Sequence, residues 1–179
     1  MDTSGNIAAV LAVVLACLAA LAAPAAATPG GTGVVAVFEG NEIDLASGWG
    51  DATACLDRGA AEVVECFSTE NELLERVAEI DKGSAATSSW CSGYLALYDG
   101  TNYTGSVLYL RDRYQWINLS GYGFSNRTSS FTVSACPAIF ADGNYGAGDH
   151  YPTSQTEAWD QSPSMLSGWD NRVSSIYLG

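Results

Sequence analysis

Few side chains in this sequence have the types and spacing that catalysis requires. There is one histidine, His150, and it sits beside Asp149. A Ser-His-Asp relay would need a serine on a strained turn, and no Gly-x-Ser-x-Gly elbow is present. No phosphate-cradling glycine loop and no dinucleotide fingerprint occurs. One imidazole makes no zinc site without other ligands, and the absence of any Cys-x-x-Cys removes zinc ribbons and thioredoxin-like redox centres. His150 follows a glycine-rich hairpin, so an exposed or loosely packed ring is expected. The sequence therefore reads as that of a protein without catalysis. The chemistry left to it is that of oxygen donors, and its acid excess is compatible with holding a hard cation.

The chain has 179 residues, with 20 acidic against 7 basic side chains. That balance argues against nucleic acid and anionic membranes as partners, since both call for basic patches. Nineteen glycines, five tryptophans and nine tyrosines point to β-structure with many tight turns. Residues 1–27 read as a secretory signal peptide. Ile7 to Ala23 is an apolar run, and Ala25-Ala26-Ala27 offers a small-residue cleavage site before Thr28. An uncleaved anchor is one alternative, but about 17 residues is short for a span. Lipidation of Cys17 is the other, although apolar sequence continues past it to Ala23. Cleavage leaves an extracellular, monomeric chain with no membrane association. The alanine-rich style suggests a bacterial source, in which the three Asn-x-Ser/Thr sequons carry no meaning.

The mature part keeps Cys55, Cys66, Cys91 and Cys136. An even number in an exported chain predicts two disulfides. Of the three possible pairings, Cys55–Cys66 would close a local hairpin and Cys91–Cys136 would tie the ends of one repeat; these two are expected.

Composition divides the mature chain in two. Residues 28–82 form an acidic α+β segment, 83–89 a small-residue linker, and 90–179 a β domain. From Thr28 to Ser89 there are 12 acids and 3 bases; from Trp90 to Gly179, 7 and 4. In the first block Val34–Phe38 reads as a strand. Ala54–Leu56 and Glu62–Phe67 read as a hairpin turning at Arg58-Gly59. Thr69 and Glu72 form a capping box for a helix whose apolar positions are Leu73, Leu74, Val77 and Ile80. Glu70, Glu72, Glu75 and Glu79 are expected on its solvated face.

The β domain contains an internal repeat, with halves at about 91–135 and 136–179. Tyr98-Asp99-Gly100-Thr101-Asn102-Tyr103-Thr104-Gly105 matches Phe140-Ala141-Asp142-Gly143-Asn144-Tyr145-Gly146-Ala147-Gly148. Trp116 matches Trp159, and the segment Gly123–Ser130 matches Gly168–Ser175. Both tryptophans are expected in the core. A period of 42–45 residues fits four antiparallel strands per repeat. The pair resembles the two Greek-key motifs of a βγ-crystallin domain, whose signature is an aromatic, four residues, a second aromatic, one residue, then Gly. Tyr98, Tyr103 and Gly105 satisfy it. Phe140 and Tyr145 match the aromatics, but the glycine position holds Ala147 between Gly146 and Gly148. The fold expected is mainly β, a two-Greek-key βγ-crystallin-like sandwich with a small N-terminal α+β segment.

The resemblance implies calcium as ligand. The family's calcium signature is Asn/Asp-Asn/Asp-x-x-Ser/Thr-Ser. Asp170-Asn171-Arg172-Val173-Ser174-Ser175 matches it, and Ser125-Asn126-Arg127-Thr128-Ser129-Ser130 departs at its first position. The metal residues it implies are Asp170, Asn171, Arg172 and Ser174, with Asn126, Arg127 and Ser129 in the weaker motif. The third motif residue, Arg127 or Arg172, would give its carbonyl, leaving the guanidinium free to point to solvent. The fifth, Ser129 or Ser174, would give its hydroxyl. Asp99 and Asp142 in the opposing hairpins are further oxygen donors. The same Asn and Ser side chains could equally tie down loops without metal. The function expected is that of a secreted, calcium-stabilised module. The alternatives are an inhibitor of extracellular peptidases, a role that part of this fold group has, and a cell-wall or carbohydrate adhesion module.

Overall fold

The computed structural model describes residue 1 and residues 33–59, 62–83, 93–111, 114–152 and 155–179. The expected leader, most of the linker and Cys91 lie outside the described residues.

Twelve strands and one α-helix are described. β1 (Val35–Phe38) and β2 (Asn41–Asp44) form a hairpin turned by Glu39 and Gly40, at φ 49° and 79°. Two left-handed residues in a row suit the twist of a tight hairpin. β3 (Ala54–Asp57) and β4 (Val64–Phe67) pair antiparallel, with Cys55 opposite Cys66 in a disulfide. The helix α1 (Glu70–Gly83) opens on the expected capping box: Glu72 N–H donates to Thr69 Oγ1 at 3.3 Å and Thr69 N–H donates to Glu72 Oε2 at 3.2 Å.

The first repeat supplies β5 (Leu95–Tyr98), β6 (Val107–Leu110), β7 (Trp116–Asn118) and β8 (Ser130–Val133). The second supplies β9 (Ala138–Ala141), β10 (His150–Tyr151), β11 (Gln161–Ser162) and β12 (Ser175–Leu178). Each repeat gives its third strand away. β7 pairs with β12, and β11 pairs with β8. One sheet therefore runs β10-β9-β12-β7, and the crystallin-like half of the other runs β11-β8-β5-β6. This exchange is the two-Greek-key sandwich expected from the sequence.

The N-terminal segment is not a separate body. β3 pairs in parallel with β6, and β4, β1 and β2 follow, so the larger sheet has eight strands. Between the sheets lie Leu97, Leu108 and Phe131 from one side and Phe140, Ile176 and Leu178 from the other; the Phe131 and Phe140 ring centroids are 4.8 Å apart. On the opposite face of the large sheet α1 buries Leu73 against Leu56, Tyr94, Ala96, Tyr98 and Val107. Leu74, expected on the apolar stripe, is exposed. Glu70, expected in solvent, accepts hydrogen bonds from the Tyr98 and Tyr109 hydroxyls at 2.7 and 3.0 Å. Burial, followed by the Glu70 charge and hydrogen bond, pushes the Tyr109 hydroxyl up to about 12, and Tyr98 also lies well above the ordinary tyrosine value.

The segment is also fastened to the first repeat behind β7. Val34 N–H donates to Gly121 O at 2.8 Å, Trp49 Nε1 donates to Tyr122 O at 2.7 Å, and the Tyr122 hydroxyl donates to buried Asp57. Gly123, at φ 61°, permits this approach: a Cβ there would lie 2.3 Å from Leu45 O.

Candidate cation site at the repeat interface

The two motif loops lie across each other about a local twofold relation. Asn126 N–H donates to Val173 O at 2.8 Å, and Asn171 N–H donates to Thr128 O at 3.0 Å. Both asparagines adopt left-handed backbone, at φ 57° and 55°, a conformation this residue type tolerates. The fifth motif residues then reach across. Ser129 Oγ donates to Asp170 Oδ1 at 2.6 Å, and Ser174 Oγ donates to Asn126 Oδ1 at 3.1 Å. The structure thus brings Asp170 to Ser129 and Asn126 to Ser174, each pair spanning the two repeats.

The sixth motif residues do separate work within their own repeats. Ser130 Oγ donates to Gly100 O at 2.6 Å and accepts from Tyr103 N–H at 3.1 Å. Ser175 Oγ donates to Gly143 O at 2.6 Å and accepts from Gly146 N–H at 3.0 Å. Each buried hydroxyl pins a folded hairpin to the strand that carries the motif.

These bonds fix the true register of the repeat. Tyr103 is equivalent to Gly146, and Gly105 (φ 83°) to Gly148 (φ 82°). Asp99 Oδ1 accepts from Ser106 N–H at 2.6 Å, and Asp142 Oδ1 accepts from Asp149 N–H at 2.8 Å. A Cβ on Gly105 or Gly148 would fall 2.1 or 1.9 Å from that carboxylate oxygen, which is why both positions need glycine. Phe140 is consequently one residue out of register with Tyr98. It is the counterpart of Leu97 and points between the sheets, while the counterpart of Tyr98 is Ala141. The match of Trp116 to Trp159 is displaced too. Trp159 and Tyr114 are the equivalent pair, both left-handed, with N–H groups donating to Ser134 O and Leu178 O. Trp159 is exposed rather than core, and Trp116 is half-buried against His150 and Tyr177.

The arginine side chains do not point to solvent. Arg127 Nη2 donates to Asp99 Oδ2 at 2.5 Å and its Nη1 to Gly123 O at 2.9 Å. Arg172 Nη2 donates to Asp142 Oδ2 at 2.6 Å and to Asp149 Oδ2 at 2.7 Å. The guanidinium groups also lie over aromatic rings, Arg127 over Phe124 and Arg172 over Trp169. Asp99 and Asp142 are therefore neutralised by internal cations and are not open oxygen donors. Burial pulls the Asp142 carboxyl upward, but the Arg172 hydrogen bond and the Asp149 amide outweigh it and hold the group below its ordinary value. The clue in the sequence was the recurrence of Asp and Arg at matched positions of both halves.

What stays available is a smaller oxygen set. Asp170 forms no ion pair among the described residues, and the Arg127 and Arg172 carbonyls accept no hydrogen bond there. With Ser129 and Ser174 hydroxyls and the Asn126 amide oxygen, these groups suit a hard cation, for which carboxylate, carbonyl and hydroxyl oxygens are the normal ligands. No group of three or more His, Cys, Asp or Glu side chains is placed to hold a metal among the described residues. His150 is half-buried, its Nε2 2.7 Å from Gly146 O, and Asp149 is engaged by Arg172, so the two form no relay. Cys136 is disulfide-bonded, while Cys91, its expected partner, lies outside the described residues.

No protein family model and no curated protein matches the sequence. Among solved structures, the chain is similar to a βγ-crystallin from Ciona intestinalis. The identity is 21%, over 49% of this chain and 100% of that one, with a TM-score of 0.42. A βγ-crystallin domain from Flavobacterium johnsoniae is 21% identical over 48% of this chain and 92% of its own, at a TM-score of 0.39. One from Clostridium beijerinckii is 14% identical over 48% and 97%, at 0.40.

Proposed function

We propose that the protein is a secreted, non-catalytic Greek-key module that binds one calcium ion between its repeats, with Asp170 and Ser129 as the first ligands. The observation that carries this reading is the cross-repeat Ser129–Asp170 pair, whose carboxylate lacks a cationic partner among the described residues. The related Asn126–Ser174 pair offers only neutral oxygens, so it is the weaker position. Calcium would replace the serine-to-aspartate hydrogen bond by two metal–oxygen contacts and join the repeats more strongly. The disulfide Cys55–Cys66 supports an oxidising, extracellular setting.

A ligand that binds only the folded state stabilises by mass action. At a hundred-fold excess over Kd the gain is about 2.7 kcal/mol. For a chain of this size that is a rise of roughly 5–10 °C. Thermal unfolding of the oxidised mature protein in excess calcium and in EGTA measures it. The rise is expected in the wild type and absent in Asp170→Asn. A wild type indifferent to calcium would show that both motifs act only as loop ties.

A further inference from the structure

Trp159 is displayed rather than packed. Three of the four described tryptophans have ring partners: Trp49 stacks on Phe124, Trp116 lies against His150 and Tyr177, and Trp169 against Tyr151. Trp159 meets no aromatic ring and no guanidinium among the described residues, and it is 73% exposed. Its backbone is fixed: Trp159 N–H donates to Ser134 O at 2.7 Å, and Asp160 O accepts from Val133 N–H at 2.7 Å.

The fold requires a left-handed residue here, because Tyr114 takes φ 60° at the equivalent place and Trp159 takes φ 68°. Gly or Asn would meet that need with little strain, whereas a bulky aromatic in this region is an outlier. In the first repeat the Tyr114 ring is also exposed, but it lies beside Gly179. Backbone geometry therefore explains the turn in the second repeat but not the choice of tryptophan.

Charge around the indole narrows what it faces. Trp159 lines a shallow groove of about 500 Å³ with Gln155, Glu157 and Asp160. Both acids are exposed, and neither forms an ion pair among the described residues. The chain as a whole carries a formal charge of −13. Asp160 Oδ1 accepts only the Gln161 N–H at 2.9 Å among the described residues. An indole face flanked by carboxylates without ion-pair partners complements a cationic side chain, which gains a cation–π contact and an ion pair together.

We infer that the Trp159 loop is a docking surface for a lysine- or arginine-bearing segment of a partner protein. Trp159 provides the ring face, and Glu157 and Asp160 provide the counter-charge.

The test is calorimetric titration of the oxidised mature protein with a hexa-arginine peptide at moderate salt, beside Trp159→Gly and a Glu157→Gln, Asp160→Asn double variant. Trp159→Gly keeps the left-handed turn without strain, so its thermal midpoint is expected to equal or exceed that of the wild type. Its affinity for the peptide is expected to fall about three-fold or more, and the double variant is expected to weaken binding as well. Equal affinity in wild type and Trp159→Gly would overturn the inference, because binding would then be diffuse surface attraction. So would a wild type that ignores the peptide but binds a chitin oligomer through Trp159, which would make the indole a sugar platform.

Discussion

Ser129 in the first Greek key and Asp170 in the second share a 2.6 Å hydrogen bond across the repeat interface, 41 residues apart in sequence. Ser129 is buried and Asp170 is exposed, so removing the serine returns the carboxylate to water, while removing the aspartate takes the acceptor from a buried hydroxyl. Ser129→Ala and Asp170→Ala are each expected to cost about 1 kcal/mol in EGTA by urea unfolding. The double variant should cost clearly less than the sum of the two. Strict additivity would mean the two side chains do not act as a pair.

The Arg172 clamp predicts an acid sensitivity. The Asp142 carboxyl is held below its ordinary value of 3.8, chiefly by Arg172 against the opposing effect of burial. As pH falls through 3.8 the unfolded chain takes up this proton while the folded one does not. Stability from this group is therefore complete above that range and is lost as pH falls toward the lowered folded value. Arg172→Met should flatten the dependence between about pH 5 and 2. Unfolding midpoints across that range, with an unchanged slope in the variant, would contradict the assignment.

Tyr98 and Tyr109 predict the opposite limb. Both hydroxyls are raised, first by burial and then by Glu70 for Tyr98 and by the Glu70 charge for Tyr109, the latter to about 12. Above the ordinary value of 10.0 the unfolded chain loses protons that the folded one keeps, so stability declines with rising pH. Absorbance titration should show these two tyrosines ionising only with unfolding. Tyr98→Phe with Tyr109→Phe should remove part of the alkaline decline.

Gly123 lies against the N-terminal segment at Leu45. A methyl group there would fall 2.3 Å from Leu45 O on a left-handed backbone. Gly123→Ala should lower stability by more than about 2 kcal/mol in chemical denaturation. Gly40→Ala, left-handed but with open space around it, should cost about 1 kcal/mol.

The Cys55–Cys66 bridge closes a loop with a sequence separation of 11. Cys55→Ala with Cys66→Ala is expected to cost about 3 kcal/mol, read as a lowered urea midpoint under oxidising conditions.

Local features were legible in the sequence. Thr69 and Glu72 announced the start of α1, and the cysteines announced the β3–β4 hairpin. The repeat and its oxygen-bearing loops showed as recurring Gly, Asn and Ser. Register was harder, because strands alternate faces every residue and a slip of one reverses them. Phe140 drew the alignment, yet it serves the core between the sheets. The true counterpart of Tyr98 is Ala141, since Tyr98 is large only where α1 lies on it and Glu70 meets its hydroxyl. Asp and Arg recur at matched positions of both halves, but the Asp99–Arg127 and Asp142–Arg172 pairings span 28 and 30 residues, and no local spacing names them. The parallel pairing of β3 with β6 is equally silent, because nothing local in Ala54–Asp57 names its partner.

The exchange of β7 and β11 bears on how such a chain could arise. A chain holding one Greek key would have a third strand with no sheet of its own to join, and a sheet lacking the strand it needs. Its simplest remedy is a second copy, each lending a strand to the other. Joining the two copies end to end turns that encounter between molecules into one within a single chain, at an effective concentration in the millimolar range for a short connection. Duplication by itself would then have been a stabilising event, before any side chain changed.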